Sequence, residues 1–212
     1  MGDVMKVLMM NGGWRTKGNC AFLLEYAASE LEKDGIESEV AHVGGAHVRD
    51  CLGCGKCTET GLCIFDDDGV NAFIEKAAQA DGFLFAAPVF FAHPAGRALD
   101  FMDRIFYAAP RSVFYGKPAA AICVARRAGT TAALDVMNKY FGIRGMPCVG
   151  STYWNEVHGF THDDLLRDEE GMQTLRNLAH NLGWLMRCID AGRVAGIEVP
   201  EPERGARTHF IM

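Results

Sequence analysis

The sequence has no apolar run long enough to cross a bilayer: the longest, 83–92, is ten residues and contains Pro88, about half of what a spanning helix needs. Proline is scarce, seven residues in 212, and there is no internal repeat or low-complexity stretch, which excludes collagen-like, proline-rich and solenoid chains. A surplus of positive charge is missing too. The formal net charge is −6 with both signs interspersed, so no basic face is offered to nucleic acid or acidic lipid, and neither is expected as a partner. The first residues lack the cationic region, apolar segment and small-residue cleavage site of a secretory leader, so a cytoplasmic location is expected. What remains is a foldable composition, 49% hydrophobic and 23% charged. At 212 residues it suits one domain burying roughly 70% of its unfolded surface. Cysteine is the exception to the scarcity, with eight residues. In a reducing compartment, closely spaced thiols point to metal binding or catalysis rather than to disulfides.

The hydrophobic pattern alternates between two periods. An apolar run at 4–10 ends in Asn11-Gly12-Gly13, and Phe22, Leu23, Tyr26, Ala27 and Leu31 follow at helical spacing. Strands are then expected at 37–43, 82–87, 119–124 and 147–152, and helices at 70–80, 97–107, 131–141 and 169–189. The last of these sets Met172, Leu175, Leu178, Leu182, Leu185, Met186 and Ile189 on one face. Strands alternating with helices predict an α/β fold, a doubly wound five-stranded parallel sheet with helices on both faces. The domain is placed at 1–191, with a cysteine-rich loop at 44–69, and 192–212 form a poorly patterned C-terminal arm. Sheets of this kind bind ligands beyond the carboxyl ends of their strands, so function is sought in the loops after strands one to four.

The first loop, from Asn11 to Asn19, combines glycines, hydroxyl and amide donors, Arg15, Lys17 and a helix N-terminus. That is an anion cradle, although a flexible connection is the alternative reading. It matches neither the dinucleotide nor the triphosphate glycine fingerprint. The loop after strand three, Pro88-Val89-Phe90-Phe91 and onward, reads by itself as core, with an apolar wall for a planar ligand as the alternative. His93 reads as structural or solvent-facing. After strand four, Ala125, Arg126 and Gly129 either touch the other side of the same ligand or belong to a solvated turn.

The strongest local signal is Cys51-x2-Cys54-x2-Cys57-x5-Cys63, four cysteines within 13 residues. Short gaps let a chain wrap thiolates around a compact inorganic centre, and Gly53, Gly55 and Gly61 supply the turns. One [4Fe–4S] cluster held by all four is the leading reading. Structural zinc, which favours two knuckles across a longer gap, and free or redox-sensitive thiols remain as alternatives. Cys20, Cys123, Cys148 and Cys188 are scattered and are expected to be small buried apolar residues.

Together these loops resemble the flavodoxin-like NAD(P)H-dependent FMN reductases, and among them the iron–sulfur flavoproteins, over roughly residues 4–190. Gly12-Gly13-Trp14-Arg15-Thr16-Lys17-Gly18-Asn19-Cys20 is similar to the family's Gly-Ser-x-Arg-x-x-Gly-Asn-Thr phosphate loop. Pro88-Val89-Phe90-Phe91 resembles its Pro-x-Tyr/Phe loop, and the cysteine run followed by Asp66-Asp67-Asp68 resembles the compact cluster motif. The opening of the last helix, Asp168-Glu169-Glu170-Gly171, also fits. The resemblance implies strand order 2-1-3-4-5. It also implies FMN, its phosphate at Gly12, Gly13, Arg15, Gly18, Asn19 and Cys20 and its ring near Pro88, Val89, Phe90, Phe91, Ala125, Arg126 and Gly129. Gly13 and Cys20 replace the family's serine and threonine, so more of the phosphate grip falls to backbone amides and Arg15.

The implied activity is electron transfer through FMN between a donor, NAD(P)H or a ferredoxin-like carrier, and a small-molecule acceptor, with the flavin doing the organic chemistry. No general acid or base stands out. No separate nicotinamide motif is present, so NAD(P)H would stack on the flavin. Family resemblance implies a homodimer or homotetramer. The alternatives are an NAD(P)H-dependent FMN, quinone or nitro reductase without a cluster, and a non-enzymatic protein whose loop is stapled by metal.

Overall fold

The computed structural model describes residues 4–45, 47–206 and 208–210. Residues 1–3, 46, 207, 211 and 212, which fall within the expected domain, cysteine loop and arm, lie outside the described residues. The chain alternates β1 (Lys6–Asn11), α1 (Asn19–Lys33), β2 (Glu37–His42), a one-turn α2 (Cys57–Thr60), α3 (Val70–Ala78), β3 (Gly82–Phe90), β4 (His93–Pro94), α4 (Gly96–Ala108), β5 (Ala119–Ala125), α5 (Thr130–Arg144), β6 (Glu156–His158), α6 (His162–Arg167) and α7 (Glu169–Val194).

Five strands pair in parallel in the order β2-β1-β3-β5-β6, and β4 folds back antiparallel on the end of β3. Without β4 this is the 2-1-3-4-5 order that the resemblance implies. Registers such as Asn11↔His42, Asn11↔Ala86 and Ala87↔Cys123 bring the carboxyl ends of the strands to one edge.

Period-two alternation along β1 sends Val7 and Met9 to one face and Leu8 and Met10 to the other, all fully buried. Leu8 and Met10 join Phe73, Phe85, Phe101, Met137 and Phe141 under α3, α4 and α5. There Phe85 meets Phe73 and Phe141 edge-on at 5.9 and 5.3 Å. Val7 and Met9 join Leu23, Leu24 and Leu31 of α1 and Leu175, Leu178, Leu182 and Met186 of α7. Two apolar faces therefore need helices on both sides, which is the doubly wound arrangement.

Four expectations are corrected. The last strand lies at Glu156–His158 rather than at 147–152. The earlier stretch meets the sheet only through a bridge between Ala119 and Cys148 before Ser151 leaves to donate its hydroxyl to the Thr174 carbonyl at 2.6 Å. A three-residue strand with one apolar side chain carries too little period-two signal to be seen in sequence. β3 runs to Phe90 and makes a hairpin, where a loop was expected. Of the four scattered cysteines, Cys20 and Cys123 are buried but Cys148 and Cys188 are exposed, the latter on the outer side of α7. That helix also runs five residues past its expected end, and the chain beyond it is tied down where the Tyr115 hydroxyl donates to the Pro200 carbonyl at 2.7 Å. No described helix is long and apolar enough to cross a membrane.

Candidate functional site

Asn11, the last residue of β1, is fully buried and shapes the loop that follows. Its side-chain oxygen accepts from Gly13 N at 3.0 Å, and its amide nitrogen lies 3.2 Å from the Arg15 carbonyl and 2.9 Å from His42 Nδ1. This local turn is how a short polar side chain replaces strand hydrogen bonds. Gly12 N continues the sheet by donating to the Ala86 carbonyl at 2.8 Å. Gly18 then precedes α1 without a side-chain cap, and the first turn of α1 carries no acidic residue. Its leading N–H groups and positive dipole end are thus left to an incoming anion.

Gly13, Trp14, Arg15, Gly18, Asn19, Cys20, Pro88, Phe90 and Phe160 line one cleft of about 350 Å³, a size suited to a small cofactor. Of the residues expected at the phosphate, five therefore line one space, with Gly12 buried behind them. Asn19 Nδ2 reaches the carbonyls of Gly159 and Phe160 at 3.4 Å each, fastening the far lip of the cleft to α1. Burial raises the Cys20 thiol far above its ordinary value, with Cys123 adding to the effect. It stays neutral and brings no negative charge to an anion site. Burial likewise pushes the Cys123 thiol up to about 12.

The expected ring residues divide. Pro88 and Phe90 line the cleft. Gly129 packs beside it, where a Cβ would lie 2.8 Å from Ala92 Cα and 3.2 Å from Val89 Cγ1. Ala125 is buried at the end of β5, and Arg126 is exposed. Phe91 is fully exposed at the hairpin tip, and both it and Ala92 have positive φ, 52° and 59°. Two central residues at positive φ in a two-residue hairpin match the type I′ pattern, which favours Asn-Gly rather than Phe-Ala.

The cysteine segment adjoins this cleft directly. Val43 N donates to the Asn11 carbonyl at 3.0 Å. A Cβ at Gly44 would collide with the Trp14 carbonyl and lie 2.8 Å from the Gly13 carbonyl oxygen, so the loops after β1 and β2 touch through their main chains. Cys51, Cys54, Cys57 and Cys63 all line one small cavity, walled by Leu52, Ile64, Phe65, Tyr107, Ala108 and Arg104. Gly53, Gly55 and Gly61, expected to supply turns, have positive φ, which glycine adopts without strain. Burial raises the Cys57 thiol above its ordinary value. Among the described residues no three His, Cys, Asp or Glu side chains surround a single-ion position. The thiols share a cavity without meeting at a point.

Sequence reasoning missed what holds this segment. Asn71 of α3 clamps the Cys63 main chain, accepting from its N–H at 2.7 Å and donating to its carbonyl at 2.8 Å. Arg104 of α4, only 1% exposed, pairs with the buried Asp68 and donates to Cys63 Sγ from Nε at 3.4 Å and Nη2 at 3.3 Å. The available signal was an arginine in the buried phase of a helix, between Phe101 and Ile105.

Residues 5–161 match the NADPH-dependent FMN reductase family. An iron–sulfur flavoprotein of Methanocaldococcus jannaschii is 28% identical over 195 residues, 87% of this chain and 99% of its own. One of Methanosarcina thermophila is 27% identical over 192 residues, 89% of this chain and 99% of its own. Among solved structures, RosB with bound 8-demethyl-8-formylriboflavin-5'-phosphate aligns with a TM-score of 0.69 at 16% identity, covering 99% of this chain and 93% of its own. A WrbA-like flavodoxin of Agrobacterium tumefaciens aligns with a TM-score of 0.59 at 14% identity, covering 88% and 99%. At such identities the two structures speak for the flavodoxin-like fold.

Proposed function

The chain belongs to the NADPH-dependent FMN reductase family, on the branch of the iron–sulfur flavoproteins, and from that premise we propose that it passes electrons through FMN and a [4Fe–4S] cluster. As a member it is an FMN-dependent flavin oxidoreductase. In this reading the FMN phosphate lies against Gly13, Gly18, Asn19 and the first turn of α1, with the exposed Arg15 as its counter-charge. Pro88, Val89 and Phe90 border the ring, and Ala125, Arg126 and Gly129 support the hairpin from the far side. Phe91 flanks the mouth. When bound, FMN would supply the exchange between two-electron and one-electron chemistry. The residues around it orient the ring and exclude water, and the neutral Cys20 thiol keeps the phosphate end free of a competing anion.

The observation that carries the cluster reading is the shared cavity of Cys51, Cys54, Cys57 and Cys63. Four cysteines line it, with Asp50 beside them, and four thiolates are the ligand set of a [4Fe–4S] centre. The spacing, two x2 gaps and one x5 gap within a single loop, suits a compact cluster better than structural zinc, which pairs two knuckles across a longer gap. Main-chain contact between the two loops supports exchange between cluster and flavin. NAD(P)H or a ferredoxin-like carrier would supply electrons and a small molecule would accept them. The exposed Trp14, Phe90, Phe91 and Phe160 at the mouth suit burial in a homodimer or homotetramer.

The test is an anaerobic preparation of the full chain, assayed for flavin, iron and acid-labile sulfide. Flavin bands with a broad thiolate-to-iron shoulder are expected, with iron and sulfide each approaching about four per chain. Cys54→Ser should lower both. Stoichiometric zinc, or flavin with no iron after reconstitution, would instead leave an FMN-dependent reductase without a cluster.

A further inference from the structure

Arg104 makes five hydrogen bonds to four acceptors. Nε and Nη2 donate to Cys63 Sγ at 3.4 and 3.3 Å, Nη2 to the Phe65 carbonyl at 3.1 Å, and Nη1 to the Arg49 carbonyl at 3.4 Å and to Asp68 Oδ2. A guanidinium has five N–H donors in a planar fork, so this one is fully engaged and held in one orientation. It is buried, and Cys63 is the one cysteine of the four whose sulfur it touches. Its counter-ion is only half used: Asp68 is buried, and among the described residues its second oxygen, Oδ1, has no hydrogen-bond partner. A pair kept solely for stability would be expected to satisfy both oxygens, because an unpaired buried acceptor is costly.

We propose that Arg104 is a positioning residue that sets the reduction potential of the centre held at Cys63, with Asp68 as the opposing weight. The proposal rests on the cluster reading above. A thiolate-held cluster gains negative charge when it takes up an electron, and N–H groups aimed at its sulfur together with a fixed nearby cation favour that reduced form. Arg104 supplies both at one ligand. Asp68, on the opposite side of the guanidinium, subtracts from the cation. The two residues therefore act with opposite sign, and the asymmetry directs the influence to the Cys63 corner rather than to Cys51, Cys54 or Cys57. Asn71 contributes by fixing the Cys63 main chain, so the sulfur cannot retreat from the fork.

The experiment is an anaerobic potentiometric titration of the reconstituted full chain, read by electron paramagnetic resonance, with iron counted in each sample. Three proteins are compared with wild type: Arg104→Gln, Asp68→Asn, and the double variant, which removes both charges together and avoids leaving one buried and unpaired. The potential should fall in Arg104→Gln, rise in Asp68→Asn, and fall in the double variant by less than in the single arginine change. Opposite shifts from the two partners of one ion pair are not produced by loosening of the loop, which would lower iron content in both. Unchanged potentials with full iron, or shifts of the same sign, overturn the proposal. If the arginine variants lose their iron, the Asp68→Asn result decides, and no upward shift overturns it. A wild-type protein that takes up no iron fails the cluster reading instead, a result visible before any variant is made.

Discussion

The turn at Phe91 and Ala92 should be improvable by mutation. Both residues hold φ values near +55°, 52° and 59°, and a side chain in that region costs about 1–2 kcal/mol per residue. Asparagine tolerates the conformation through local hydrogen bonds, while glycine accepts it freely but gives back about 0.5–1 kcal/mol of chain entropy on folding. Little packing is lost in exchange, because Phe91 is fully exposed and Ala92 is exposed. Phe91→Asn with Ala92→Gly should therefore stabilise the protein by about 1–2 kcal/mol, or about 2–8 °C in Tm for a chain of this size. The measurement is urea unfolding of flavin-free protein, since any cofactor bound to the native state would add its own linkage. Phe91→Leu serves as a control that keeps the strain and should change little. Stability equal to or below wild type in the double variant would show that the turn is unstrained and refute the reasoning. The strain itself matters because such outliers gather where function dictates backbone shape, and this one borders the cleft.

Replacing Arg15 and Asn19 with alanine should weaken FMN binding at least about tenfold, the order expected from one lost charge-assisted hydrogen bond; unchanged affinity in equilibrium dialysis would refute the phosphate assignment. Val89→Asp should strip flavin from a chain that remains folded by circular dichroism, and full flavin content would sink the ring assignment. Hydrogen bonds from Lys6 and Lys76, at 2.6 and 2.7 Å, hold the Glu39 carboxyl below its ordinary value of 4.5. Its contribution is therefore complete above that value and lost as pH falls through the lowered native one. Lys76→Met should flatten the acid limb of the stability profile below about pH 4.5, and an unaltered limb would refute this.

Long periodic elements were legible in the sequence because burial on two faces writes itself into the residue pattern. The run from Leu8 to Met10, the helix face carrying Leu175, Leu178 and Leu182, and the glycine turn at Gly12 all stand where they were expected. β6 was not legible, since it is three residues long and held by register against Cys123 rather than by its own pattern. The hairpin was hidden for a different reason: Phe-Ala is not a turn signal, and tertiary contact with Gly129 accompanies a shape that local chemistry disfavours. At the site, spacing revealed the thiols because all four lie in one loop. Arg104 and Asn71 come from separate helices 41 and 8 residues away from Cys63, and only the fold brings them there.

The buried pair of Arg104 and Asp68 also bears on how this protein can change over generations. Losing either charge alone leaves the other stranded in the interior, a cost of about 3–5 kcal/mol and a large share of the stability of an ordinary domain. The surface-facing Cys54 carries no such penalty. Cys54 can therefore be replaced in one step at little cost, whereas the ion pair beneath it is costly to dismantle one charge at a time. Variants of Cys54 should keep the fold more readily than variants of Arg104 or Asp68.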